Sequence, residues 1–434
     1  MWTYYFLLSL CIITQVQSKQ IDLSYRGLKK EDFFARLQST INIREVTDLN
    51  LKGNRFDNFI DCSTHLDHMK TLDLAENHLG QFLFLCNDGY ALESLNVSHN
   101  FLEYIDDSSL NNKVSKLKIL DLSFNKLSTI NETMLQHMKI LEFLSVASNP
   151  IVNLHENAFK NQKSMIHLDL TNVSQVFFPS TLFKAMTNLS YLNISHNKIE
   201  ILPYLPLSLE ELDISSTNIL YVDNLIFPRM MKFYMNHMPN ITEVVLNDFE
   251  NLTMLEILSM ENNPILSEFR VWPPNSRILP RLQHLSVRGC ALETLTDDLR
   301  PIMQRVSIVD LQNNPWHCDC RMQWVNRLNL SNELSREIKC KTPDQHTKKI
   351  LAEIPNHELV CVEISTIGYT AILVSTTIIL LVILVGGFWI FWKGPLRQWS
   401  LPKRGTETVS YKNVVESSND LISHLIVADD HNDE

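Results

Sequence analysis

Leu117-Lys118-Ile119-Leu120-Asp121-Leu122-Ser123-Phe124-Asn125 is the stretch whose reading decides the fold. Its pattern is L-x-x-L-x-L-x-x-N. Leu117, Leu120 and Leu122 are spaced to point into a core, and the Asn125 amide suits backbone groups that a following turn leaves unpaired. One such unit cannot bury its apolar face alone, so the pattern requires stacked copies.

The copies are present. Asn, or a substitute for it, recurs at Asn54, Asn77, Asn100, Asn125, Asn149, Val173, Asn197, Thr217, Met238, Asn263, Cys290 and Asn314. The gaps are even enough to mark a repeat rather than chance matches. A second apolar position falls ten residues after the Asn position at Leu110, Leu135, Phe159, Phe183 and Phe227. The series resembles the long, extracellular subtype of leucine-rich repeat. The resemblance implies an α/β repeat solenoid, a curved parallel β-sheet on its concave face, with about 12 repeats over residues 46–314. Two short repeats end at Thr217 and Met238. Together with the Met-rich segment Met230–Met238, they predict a local change of curvature, with Met as gap-filler rather than a binding insertion.

Residues 1–18 read as a secretory signal peptide, apolar from Tyr5 to Val16 and ending Val16-Gln17-Ser18. Residues 19–45 then form an amino-terminal cap without cysteines, in which Ile21-Asp22-Leu23 is a degenerate strand motif and Phe33, Phe34 and Leu37 cover the open end.

Of eight cysteines, Cys11 leaves with the signal peptide and Cys290 takes an Asn position as a free structural thiol. Cys62 and Cys86 lie about one repeat apart, and neighbouring coils stack within reach of a disulfide, so a bond is expected between them. Asn314-Pro315-Trp316-His317-Cys318-Asp319-Cys320, with Trp324, Cys340 and Cys361, resembles the carboxy-terminal flanking cap of extracellular leucine-rich-repeat proteins, here residues 315–362. Four cysteines alone allow three connectivities. The family pattern implies Cys318–Cys340 and Cys320–Cys361, with Trp316 and Trp324 packed over the last coil. A metal site using His317 is the weaker reading, since an oxidising compartment favours disulfides.

After residues 363–366, no charged residue occurs until Lys393, and residues 367–392 are long enough to span a bilayer with some tilt. Phe388, Trp389, Phe391 and Trp392 make an interfacial aromatic cluster, and Lys393, Arg397, Lys403 and Arg404 follow it. The expected arrangement is single-pass type I in the plasma membrane, with an extracellular ectodomain. Residues 393–434 form a cytosolic tail too short for a Toll-type signalling domain. In it Tyr411, Asn413 and Val414 form a Y-x-N and Y-x-x-Φ motif that could serve a cytosolic adaptor or sorting machinery.

On the concave sheet the central column runs Asn50, Asp73, Asn96, Asp121, Ser145, Asp169, Asn193, Asp213, Tyr234, Ser259, Ser286 and Asp310, ordinary residues for this repeat. The adjacent column places Ile119, Phe143, His167 and Tyr191 on consecutive coils, an apolar-aromatic strip that is the candidate contact for a protein ligand. Sequons occur at Asn96, Asn131, Asn172, Asn188, Asn193, Asn240, Asn251 and Asn329; sugars on Asn96 and Asn193 would narrow the concave surface. No phosphate loop, zinc helix motif or nucleophile elbow is found, so neither an enzyme nor a cofactor is expected. A net charge of −11 without a basic block ahead of Trp392 gives no reason to expect nucleic acid. Two function classes follow from the resemblance. One is a receptor or adhesion molecule binding a protein ligand; the other is an accessory subunit modulating a larger receptor in the same membrane.

Overall fold

The computed structural model describes residues 19–33, 46–61, 66–86, 88–223, 225–275, 277–361 and 366–393. The chain divides into two units at Cys361/Val362. The first is a parallel β-solenoid. Its main sheet has 13 strands in chain order, from Lys19–Asp22 to Ile308–Asp310. Each coil returns to the same edge one repeat later, which is why the strands are parallel and in register: Ile119 faces Phe143, Leu120 faces Leu144, Asp121 faces Ser145. The first strand belongs to the cap rather than to a full repeat, and it seals the sheet by pairing Ile21 with Leu49 and Asp22 with Asn50. Behind it Phe33 is 1% exposed, its ring edge-on to Phe56 at 5.7 Å.

The core is the repeated leucine set. Leu117, Leu120 and Leu122 are all 0% exposed, and the back positions Leu135, Phe159 and Phe183 are as deeply buried. Met230, Met235 and Met238 are likewise 0% exposed, fillers on either side of an in-register strand, Lys232–Tyr234. The expectation of an α/β repeat needs one correction. Beyond short secondary sheets such as Asn58–Asp61 with Gln81–Phe84, the described return legs carry turns and single 3₁₀ turns such as Asn112–Val114; the one short α-helix among them is Arg300–Met303. Once the strand and its turns are subtracted from a coil, the return leg is too short for several helical turns.

What fastens one coil to the next is the Asn amide. Asn125 Nδ2 donates to the carbonyls of Val97 at 3.0 Å, Leu122 at 3.0 Å and Ser123 at 3.2 Å. Its Oδ1 accepts from Leu102 N–H at 3.1 Å. Asn77, Asn100, Asn149, Asn197 and Asn314 bridge their coils the same way. Where Asn is missing, other groups take part of the work. Gln175 reaches back from two residues beyond Val173 to the Ile151 carbonyl at 2.6 Å. The Thr217 hydroxyl donates to the Ile214 carbonyl at 2.8 Å, and the Cys290 thiol to the Met260 carbonyl at 3.1 Å. Burial pushes the Cys290 thiol up to about 11, so it stays protonated and unreactive.

The carboxy-terminal cap closes the other end. Cys318 pairs with Cys340 (Cα–Cα 5.6 Å) and Cys320 with Cys361 (5.1 Å), the pairing the resemblance implies. Trp316, 0% exposed, donates its indole N–H to the Leu311 carbonyl of the last coil at 3.0 Å. Trp324 is buried and does the same to Leu295 at 3.4 Å.

The expected bond from Cys86 to Cys62 is corrected: Cys86 is a free, buried thiol. The strands here pair Asp61 with Phe84, a separation one residue shorter than that between Cys62 and Cys86 in the sequence. That one-residue phase error turns adjacent side chains of paired strands to opposite faces. Cys62 itself lies outside the described residues. So do residues 1–18, Phe34, Leu37 and the tail motif at Tyr411, Asn413 and Val414.

The second unit contains the helix Thr366–Lys393, 28 residues long, whose only charged residue is Lys393 at its end. Its described side chains, residues 373–389, are exposed and almost wholly apolar. Among the residues described in this way, no helix is long and apolar enough to cross a membrane.

Asn125→Ala leaves three buried carbonyls and one buried N–H without this partner. We expect it to lower unfolding stability by at least about 3 kcal/mol, read from the urea midpoint, while Ser128→Ala, at an exposed position, changes it by under about 0.5 kcal/mol.

Candidate functional site

The concave sheet carries two columns with different jobs. Those of the central column that are Asn or Asp mostly close a turn: the side chain accepts the N–H two residues on, as Asp121 does from Ser123 at 2.9 Å and Asp213 from Ser215 at 2.8 Å. Asp169 takes both the N–H and the hydroxyl of Thr171, at 2.9 and 2.6 Å. These short polar residues occur here because an Asx turn needs their acceptor at that offset, so they are committed to the fold before any ligand arrives.

The neighbouring column has no such duty. Parallel register brings Ile119, Phe143, His167 and Tyr191 side by side, one per coil. The imidazole of His167 lies flat between two rings. Its centroid is 4.5 Å from Phe143 at 19° and 3.8 Å from Tyr191 at 4°. Ile119 opens the row, 44% exposed, and the three rings are half-buried. The stack therefore presents ring edges and one aliphatic chain to solvent, already ordered.

Charge around the row is one-sided. Glu142, Asp121, Asp169 and Asp213 flank it. Two lysines on the same sheet are engaged, Lys118 with Glu93 at 2.9 Å and Lys232 with Glu211 at 3.0 Å. Desolvation lowers the His167 pKa below the ordinary imidazole value, against the attraction of Asp169 and Glu211. Desolvation likewise raises the carboxyl of Asp213 and the phenol of Tyr191.

A third column escaped the sequence reading. The residue just before each Asn position has a left-handed backbone: Glu76, His99, Phe124, Ser148, His196 and Asn262 all have φ between 52° and 57°. That conformation swings the chain so that the following amide points inward, and it turns the residue's own side chain outward. Phe124, 50% exposed, stacks on His99 at 4.2 Å and 7°. Two positions further round, Lys126 sits 4.9 Å over Phe101. Only at Phe124 was a signal available, an aromatic immediately preceding the Asn, since apolar residues rarely tolerate positive φ without a reason.

The sequons fall in two groups. Asn131, Asn172, Asn188, Asn251 and Asn329 are exposed or nearly so. Asn96, Asn193 and Asn240 are half-buried, the first two accepting from Ser98 and Ser195 N–H within the turn column. Among the described residues there is no group of His, Cys, Asp and Glu that could hold a metal ion.

Residues 91–151 and 141–199 match the family described as leucine rich repeat. Osteomodulin of Bos taurus is 28% identical over 176 residues, covering 38% of this chain and 39% of that protein. Toll-like receptor 9 of Felis catus is 29% identical over 198 residues, 41% of this chain and 19% of the receptor. The chain thus spans well under half the length of these curated relatives. Among solved structures, the TLR13–ssRNA13 complex superposes with a TM-score of 0.53 at 20% identity, over 73% of this chain and 54% of that one, a likeness of fold. The chain carries a leucine-rich-repeat solenoid similar to those of Toll-like receptors and osteomodulin.

His167 supplies a pH test. Its folded pKa lies below its unfolded value, so the unfolded state binds the proton first, and stability falls as pH drops through and below about 6.5. His167→Phe keeps the stack and removes the titration. We expect urea unfolding at pH 7.5 and 5.0 to give a smaller acid loss in His167→Phe than in the parent.

Proposed function

We propose that this leucine-rich-repeat chain is a cell-surface protein that binds a protein ligand through its concave sheet, with the row Ile119, Phe143, His167 and Tyr191 as the contact. One observation carries the reading: the row is a pre-stacked aromatic surface whose residues, unlike the turn-closing column beside them, do nothing the solenoid requires. Rigid aromatic groups give up little entropy on binding and are enriched at interfaces. The flanking carboxylates, with neighbouring lysines already paired, favour a ligand with basic groups. A sugar on Asn193, whose amide nitrogen is 3.5 Å from the Tyr191 hydroxyl, would stand at one end of the row, and one on Asn96, on the strand paired with that of Ile119, at the other, leaving the contact between them.

The membrane part of the proposal rests on the second unit. A helix of 28 residues rises about 42 Å, more than the roughly 30 Å hydrocarbon layer, and it carries no charge before Lys393. With residues 1–18 as signal peptide and residues 393–434 as tail, the arrangement is single-pass type I at the plasma membrane. The sequons are then glycan acceptors, and Tyr411, Asn413 and Val414 a sorting or adaptor motif.

A second reading, an accessory subunit pairing sideways with a larger receptor, is favoured by a run of exposed apolar side chains beyond the Asn positions. Val152 is 75% exposed, Phe177 67%, Ile201 78% and Tyr221 69%. On this reading the lateral edge makes the contact and the ring row does not.

The full-length chain displayed on cells and screened against single-pass proteins, in trans and by co-expression, separates the two. Phe143→Ala with Tyr191→Ala should weaken ligand binding at least tenfold, with Ile308→Ala, in the same column but far along the sheet, as the neutral control. Unchanged binding in the double variant, with loss on Phe177→Ser and Tyr221→Ser, would move the assignment to the lateral edge.

A further inference from the structure

A second surface, unrelated to the ring row, lies where the last coils meet the disulfide-bonded cap. A pocket of about 490 Å³ opens between the segment Thr294–Arg300 and two 3₁₀ turns of the cap, Cys320–Met322 and Val325–Arg327. Arg300, Arg321 and Arg327 all line it, with Thr294 and Thr296. Three guanidinium groups meeting in one pocket need an account in a chain whose net charge is −11.

Carboxylates offset only part of this. Arg321 is held by Asp319, Nε to Oδ2 at 2.9 Å and the terminal nitrogen to the same oxygen at 2.8 Å. A terminal nitrogen of Arg300 pairs with Asp297, the one acid on the pocket wall. Two donor sets remain. Arg300 Nε is buried and has no hydrogen-bond partner. Arg327 is exposed and, among the described residues, makes no ion pair.

We propose that this pocket binds a phosphate or sulfate monoester of about monosaccharide size. Guanidinium groups match the paired oxygens of a tetrahedral oxyanion. Arg327, exposed and without an ion pair among the described residues, would bind the oxyanion, with Arg300 and Arg321 on the same walls adding positive charge, and Thr294 and Thr296 would meet the rest of the ester. The walls are fixed in advance: Cys320 is tied to Cys361, and Trp324 at the base is 5% exposed and bonded to Leu295. A pocket of this size suits a small ligand rather than a bare ion.

The test is calorimetric titration of the full-length chain in detergent micelles with a sulfated heparin tetrasaccharide and, separately, glycerol 3-phosphate. We expect saturable 1:1 binding of at least one. Tighter binding of the tetrasaccharide assigns a sulfated glycan; tighter binding of glycerol 3-phosphate assigns a phosphorylated headgroup. Arg327→Ala, on an exposed side chain, should weaken it at least tenfold with unchanged thermal unfolding. Lys339→Ala, a cap cation already paired with Glu337, should leave it unchanged. Absence of saturable binding to both probes overturns the proposal, as does equal weakening by the two variants, which would mean diffuse attraction without a site.

Discussion

The structure depends on satisfying the backbone of a coil that turns inward. Short strand segments leave most of each repeat outside the sheet, and its N–H and C=O groups face a core of buried apolar side chains. The Asn amide answers this because it carries two donors and an acceptor at one site, so it can close its own turn and tie down the preceding coil together. Everything else follows from placing that group correctly. The left-handed residue before it aims it, the leucines seal it from solvent, and the Asx column finishes the strand in front of it. Where the group is lost, the Thr217 hydroxyl and the Cys290 thiol each reach one of the carbonyls an Asn would have bridged, and beside Val173 the Gln175 amide ties to the preceding coil at a different carbonyl, that of Ile151.

The same constraint explains how much was legible beforehand. The repeat period, the core leucines, the ring row and the capping tryptophans could be read, because each is a residue type required at a fixed phase. Phase also caused the error at Cys86. Its distance from Cys62 looks like one repeat until strand register shows the local coil to be shorter by a single residue, and that difference reverses a side chain's direction. The left-handed column stayed hidden because its occupants, Glu, His, Phe, Ser and Asn, share no chemistry; only their backbone is constrained. The helical content expected of the repeat class was not realised, since chain length on the return leg rather than residue preference sets what can form there. The arginine pocket could not be read at all, as its members come from one coil and from the cap, brought together only by the fold.

The solenoid thus separates what holds it together from what it can offer. Turn-closing acids and buried amides are tied to the fold. The stacked rings, the apolar lateral edge and the pocket beneath the cap are not. Because each coil touches mainly its neighbours, a change on one such surface is felt locally, and unrelated contacts can be carried on one scaffold without interfering.

The two ends of the solenoid are not sealed alike. Two covalent cross-links and a pair of tryptophans lock the carboxy-terminal end, whereas a single strand and a few apolar side chains, with no cross-link among the described residues, close the other. A linear array loses structure from its weaker terminus, so fraying here has a direction. It would begin at the first coils and advance like an unwinding spool, reaching the ring row well before the cap. Mechanical load or proteolytic attack on this molecule would therefore erase its candidate recognition surface while leaving a folded, disulfide-clamped stump.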